Sequence, residues 1–224
     1  MTDSALLEKR LQAVEAADSS QGMIDAVEAL AELRDEGATD MLIRVLGYNN
    51  PGAAVAAVDG LIKIGTPAAS ALLEQIDGYN YGARAWALRV LAGIGDPRGL
   101  DLVVETAVED FSLSVRRAAA RGLGAIQWEK MAQLEREAAQ MKARDTLLQV
   151  AEDPEWVVRY GAVVGLQGVA AAAAQYGFVD LIERIVEGLS DRARKDDTLA
   201  VQARAQWALA QIADLESGQS SSEV

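Results

Sequence analysis

The chain contains no cysteine and no histidine. Without cysteine there can be no disulfide, no thiolate-bound zinc or iron–sulfur cluster, and no thiol nucleophile. Without histidine, imidazole metal ligands, the Ser/His/Asp arrangement and the usual base near neutral pH are excluded as well. Any acid–base step must use carboxylate, tyrosine or lysine. Aromatic residues make up only 5% and there are four prolines, so an alanine-, leucine- and glutamate-rich chain favours helix over sheet. Positive charge is also scarce: 21 Lys and Arg stand against 34 Asp and Glu, a formal charge of −13. Such a surface repels a phosphate backbone or an anionic membrane. No apolar run approaches a membrane-spanning length, and the opening MTDSALLEKRLQAVEAAD is charged and amphipathic. The expectation is a soluble, cytoplasmic protein with neither nucleic acid nor membrane as partner. Phosphate-binding lysine loops and nucleophile elbows are missing, and Gly93, Gly95 and Gly99 follow a helical segment at the wrong spacing for a dinucleotide fingerprint.

Half of the 224 residues are apolar, enough for a continuous core. They are distributed as a repeat. A small residue, a second residue three later, Leu next, and an aliphatic residue three further on recur as Ala26/Ala29/Leu30/Leu33, Ala57/Gly60/Leu61/Ile64, Ala87/Val90/Leu91/Ile94, Ala119/Gly122/Leu123/Ile126, Ala162/Gly165/Leu166/Val169 and Ala205/Ala208/Leu209/Ile212. Offsets of i, i+3, i+4 and i+7 fall on one stripe of an α-helix, and the small residues let a neighbouring helix approach closely. Shorter apolar groups such as Met41-Leu42-Ile43, Leu102-Val103-Val104 and Leu147-Leu148 lie between them. Gly65-Thr66-Pro67 and Gly95-Asp96-Pro97 punctuate the two helix classes, Gly ending one helix, the polar residue capping the next and Pro taking its first position. The chain therefore reads as all-α: a solenoid over residues 1–216 of six helical hairpins. Residues 1–22 form an amphipathic N-terminal cap, 129–142 a charged helical insertion, and 217–224 a disordered tail.

The residues 79–128 concentrate the uncommon residue types. Arg84, Arg116 and Arg159 each lie three residues before the first seam residue of their units, and this recurrence reads as a structural ladder pairing successive repeats through carboxylates or helix C-termini. Arg89 and Arg121 take another phase, two residues after the first seam residue, with Arg117 close to that direction; they point away from the seam. The bland alternative is a solvated helix face. Tyr79, Tyr81, Trp86, Phe111 and Trp128 flank them, offering flat apolar area with polar handles. Together they suit a flat conjugated molecule whose carboxylates meet arginine forks. Glu109-Asp110 at a loop could accept ligand N–H groups or supply a proton. No metal site is expected.

The string YGARAWALRVLAGIGDPRGLD followed by SVRRAAARGLGAIQW resembles the F-type subunit of the heterodimeric E/F phycobilin lyases of cyanobacteria, in the HEAT-like repeat family of phycobilisome lyases. The resemblance is densest over 79–128 and extends through the repeat pattern. It implies a partner, the E-type subunit, and a substrate, a linear tetrapyrrole, most commonly phycocyanobilin. That chromophore is transferred rather than kept as a covalent cofactor. It also implies an acceptor, a cysteine of the phycocyanin alpha subunit, to which the bilin is joined by a thioether. On this reading Tyr79, Tyr81, Trp86, Arg89, Arg117, Arg121 and Trp128 contact the bilin, and Asp110 and Glu109 are the candidates for proton delivery. Isomerising relatives carry an Asn-His-Cys-Tyr motif; here Tyr79-Asn80-Tyr81 stands in that neighbourhood, which implies attachment without isomerisation. Two other classes fit the repeat alone: a non-enzymatic scaffold binding phycobiliproteins, in assembly or phycobilisome degradation, and a generic peptide adaptor.

Overall fold

The computed structural model describes residues 4–75 and 81–220. Among them there is no strand. The helices are α1 (Ser4–Glu15), α2 (Ser20–Ala31), α3 (Thr39–Leu46), α4 (Pro51–Ile64), α5 (Thr66–Gln75), α6 (Tyr81–Ile94), α7 (Leu100–Glu109), α8 (Leu113–Leu123), α9 (Gln133–Val150), α10 (Trp156–Tyr176), α11 (Val179–Lys195) and α12 (Leu199–Ser220). They form an all-α solenoid of helical hairpins, in two compact units, Met1–Ile94 and Gly95–Val224.

In the first unit α2, α4 and α6 pack in succession, with α1, α3 and α5 hairpinned to them. In the second unit α8, α10 and α12 make one layer and α7, α9 and α11 the other. The even-numbered helices are those that carry the repeated stripe. Its leucines Leu30, Leu61, Leu123 and Leu166 are fully buried and Leu91 nearly so, while Leu209 on the terminal hairpin is partly buried.

Local sequence sets the boundaries. Ser19 caps α2 by accepting from the Gly22 amide at 3.1 Å, and Asn50 caps α4 by accepting from Ala53 at 3.1 Å, with Pro51 at the first helical position. Asp96 is almost wholly buried; its carboxylate accepts the Arg98 amide and clamps the Arg98 guanidinium at 2.8–2.9 Å. The side-chain bond from Arg98 holds that carboxyl below the usual range against the opposing effect of burial. Gly95 before it needs its φ of +69°, and a Cβ there would lie 2.2 Å from the Ala125 carbonyl. Its own carbonyl accepts the Gln127 amide at 2.8 Å, tying the end of this repeat to the next.

Three element boundaries differ from the sequence expectation. The N-terminal cap is one helix only to Glu15, because Ser19 starts α2 before the expected boundary at 22. Residues 129–142 are not a separate helix: a 3-10 turn at Trp128–Lys130 leads into α9, which absorbs 133–142 as its opening turns. α12 is helical to Ser220, so 217–220 belong to a helix, and 221–224 lie outside the described residues. Contacts group the chain into the two units on either side of Ile94.

One described helix, α10, is long and apolar enough by composition to cross a membrane; α4 and α5 would pass only as a pair, and they are bent by 117°. α10 is the central helix of its unit, enclosed by α8, α9, α11 and α12, and its apolarity is explained by that packing.

Candidate functional site

In the first unit the candidate residues sit on α6. Tyr79 lies outside the described residues, and Tyr81 is described only as the first residue of that helix. Trp86 and Arg89, one turn apart and both half-buried, form a cation–π pair with the guanidinium carbon 4.4 Å from the ring centroid. The pair presents one flat, cationic element. Arg84 is also half-buried on α6, at the phase shared with Arg116 and Arg159.

In the second unit the arginines separate sharply. Arg116 on α8 grips Asp153 with two bonds of 2.7 and 3.1 Å and donates from Nη1 to the carbonyls of Asp110 and Phe111. Arg159 on α10 repeats the arrangement one hairpin later. It grips Asp196 at 2.8 and 2.9 Å, bonds Asp197 and Thr198, and donates to the Asp153 and Pro154 carbonyls. Each guanidinium thus closes the loop before its own helix and ties it to the corresponding loop of the following hairpin. Hydrogen bonding to Asp153 and to Asp196 respectively raises the two guanidinium pKa values.

Asp110 is used in the same loop: its carboxylate accepts the Ser112 amide at 2.8 Å, which orients it toward the backbone before α8. Glu109, at the end of α7, is exposed.

Trp128 requires a correction. Expected as a ligand contact, it is 3% exposed and packed in the core with Leu123, Leu147 and Leu166, and its indole Nε1 has no hydrogen-bond partner. α8 ends at Leu123, and the turn through Gly124 and Ala125 carries the chain to Trp128, whose ring joins the core of the second unit. Replacing Trp128 with Phe is therefore expected to cost about 1 kcal/mol of stability and to leave ligand binding unchanged. Denaturant melts alongside a ligand titration check this; intact stability with lost binding would return Trp128 to the site.

Arg117 and Arg121 are exposed on α8. Beyond the sequence-predicted set, the structure brings Tyr160 and Gln167 of α10 and Arg204 and Trp207 of α12 into the same region. Arg204 donates to Gln167 Oε1 at 2.6 Å and lies 4.5 Å from the Trp207 ring centroid. Burial pulls the Arg204 guanidinium below its usual range, and the positive charge of Arg121 adds to this against the opposing effect of the Tyr160 hydroxyl. One signal for this group was present in the sequence. Arg204 follows Gln167 by 37 positions, the same separation as Arg116–Asp153 and Arg159–Asp196. Among the described residues no group of three or more acidic side chains is placed to hold a metal ion.

Stacked hairpins with small-residue seams and carboxylate-locked arginines define a HEAT-like helical repeat protein, and a family model for HEAT repeats matches residues 70–166. The chain is 56% identical over 183 residues, covering 81% of its length and 86% of the relative's, to phycocyanin alpha phycocyanobilin lyase CpcF of Synechocystis sp.. It is 44% identical over 194 residues, 87% and 94% of the two lengths, to phycocyanobilin lyase subunit beta of Nostoc sp.. Among solved structures it matches a chain in the complex of CpcE and CpcF of phycocyanin lyase from Nostoc sp., with a TM-score of 0.69 and 45% identity, covering 78% of this chain and 99% of that one. The chain belongs to the phycocyanobilin lyase beta-subunit (CpcF) family.

Proposed function

We propose that this protein is the F-type subunit of a heterodimeric bilin lyase which, with an E-type partner, attaches phycocyanobilin to a cysteine of the phycocyanin alpha subunit. The observation that carries this reading is the 56% identity to the Synechocystis lyase along 86% of that protein's length. The chemistry is compatible with a chain lacking cysteine and histidine. The acceptor's thiol adds across the ethylidene double bond of the bilin A ring: sulfur bonds to the ethylidene carbon, the proton is taken up by the bilin, and no group leaves. The nucleophile is thus supplied by the substrate protein, and the work left to the lyase is to hold, orient and protonate the chromophore.

In the first unit the Trp86–Arg89 pair offers stacking area and a cation, with Tyr79 and Tyr81 assigned to the bilin on sequence grounds; in the second unit the exposed Arg117 and Arg121 offer cations for a carboxylate. Of the two acidic candidates, Glu109 is the better placed proton donor, since the carboxylate of Asp110 is engaged with its own loop. Phycocyanobilin is a transferred substrate on this reading. Attachment proceeds without isomerisation, because the motif of the isomerising relatives needs histidine and cysteine. A cytoplasmic location accompanies the reading, the longest apolar helix being accounted for as a core helix.

Mixing the protein with an E-type subunit, phycocyanobilin and apo phycocyanin alpha subunit should give a denaturation-stable coloured adduct, detected by absorbance and zinc-enhanced fluorescence after gel electrophoresis. Leaving out either lyase subunit should abolish it. Adduct formation at the same rate without this chain would overturn the proposal.

A further inference from the structure

On a chain where acidic residues outnumber basic ones 34 to 21, arginines are expected to find carboxylates. Arg116 and Arg159 do. Among the described residues, Arg121 and Arg204 have no carboxylate within ion-pair distance, although they lie in the same unit. Arg204 is instead held by neutral groups, the Gln167 amide and the Trp207 ring, and its buried Nη1 has no hydrogen-bond partner. A buried cationic donor without an acceptor is costly, and an anion bound to it would remove the cost.

The packing explains why the two cations are kept together. α8 meets α10 backbone to backbone: a Cβ on Gly161 would lie 3.1 Å from the Arg117 carbonyl, and one on Gly165 would lie 2.3 Å from the carbonyl of Ala120, the residue before Arg121. This fixes the α8 backbone on either side of residue 120 against the 161–165 turn of α10. From the other side, α12 delivers Arg204 to Gln167 and Tyr160 on that same helix. The result is two guanidinium groups carried by the two helices that pack on α10, and the charge of Arg121 acts on Arg204. A phenolic hydroxyl lies beside them, and a half-exposed tryptophan ring stacks on one.

We infer that Arg121, Arg204 and Tyr160 form a receptor for a ligand carboxylate and, resting on the lyase reading above, that this carboxylate is a propionate of the linear tetrapyrrole. The carboxylate enters from the exposed Arg121 side, and a rotation of the Arg204 side chain brings the idle Nη1 donor to it. Both guanidinium charges are then neutralised by one group, and the Trp207 face is left to cover the adjoining conjugated ring.

The test compares phycocyanobilin with its dimethyl ester, in absorbance titrations of the complex with the E-type subunit, for wild type, Arg121→Gln and Arg204→Gln. The first change is on the surface and the second preserves a partner for Gln167, so both variants should fold; circular dichroism melts verify this. Loss of a charge-assisted bond should weaken binding of the free acid by about tenfold or more in either variant, while the ester, already weaker on wild type, should be indifferent to both substitutions. Equal losses for acid and ester would mean a structural effect and overturn the assignment, as would variants that bind the acid like wild type. If the wild-type complex binds no bilin, the lyase reading fails and takes the propionate assignment with it. Normal wild-type binding with unaffected variants rejects this site alone.

Discussion

Replacing Arg159 with alanine is expected to destabilise the protein by about 3–5 kcal/mol, a large part of the roughly 5–15 kcal/mol that a folded domain has in total. The magnitude follows from what stays behind. The side chains of Arg159 and Asp196 are 8% and 0% exposed, so removing the guanidinium leaves a buried carboxylate with only the Thr198 amide at 3.0 Å and a distant Arg192 at 3.8 Å. The Asp153 and Pro154 carbonyls lose their donor at the same time. Lysine should rescue little, since one ammonium cannot reproduce two parallel bonds to Asp196 together with two to carbonyls. A paired change of Arg159 to Met and Asp196 to Leu, which removes both charges, should recover most of the loss.

The pH dependence has a definite sign. Burial alone would raise the Asp196 pKa, but the bonds from Arg159 and from the Thr198 amide outweigh it, and the folded-state value is lowered. A carboxyl depressed in the folded state contributes stability above its unfolded pKa of about 3.9, and that contribution is lost as pH falls through the folded value. Urea melts of wild type and Arg159→Ala should therefore differ most near neutral pH and converge in acid. A gap that stayed constant down to the acid limit would show that the ion pair is not its source.

How far the sequence specified these features depends on whether the information lay in one helix or between two. The stripe that buries Leu61, Leu123 and Leu166 is a property of single helices and was legible from spacing. The separation of Arg116 and Arg159 from Arg117 and Arg121 was equally legible, because helical phase alone distinguishes them. Trp128 was not. Its position follows from α8 stopping at Leu123, one turn before the stripe's last residue, Ile126; Gly124 caps that stop, but the stripe running on to Ile126 masked it. Leu33 fails likewise, since α2 ends at Ala31. Arg204 was overlooked because its environment comes from two other helices. Only the recurrent separation of 37 residues, shared with both ion pairs, links it to Gln167.

Exchanging Gly165 for leucine should have the other large effect, about 3 kcal/mol or more, in a direction that helix propensity alone would get wrong. Glycine within a helix is intrinsically worse than alanine or leucine by about 0.8–1 kcal/mol, so an isolated α10 would gain from the change. In the folded protein a Cβ at 165 would stand 2.3 Å from the Ala120 carbonyl, which is backbone and cannot rotate away, and 2.7 Å from Leu147. Gly124 and Gly168 bring the two helices together again one turn on, where a Cβ on Gly168 would lie 2.2 Å from the Gly124 carbonyl. Relief at Gly165 thus requires α8 and α10 to separate along their whole contact. That separation would also move Arg121 relative to Arg204, so bilin binding should fall even in the fraction that remains folded. Gly99→Ala is the control: a Cβ there meets nothing within 4 Å, and its φ of −85° suits any residue, so stability should be unchanged or slightly higher. Thermal melts of both variants decide the matter. A Gly165→Leu protein as stable as wild type would mean that this close helix contact does not hold the second unit together.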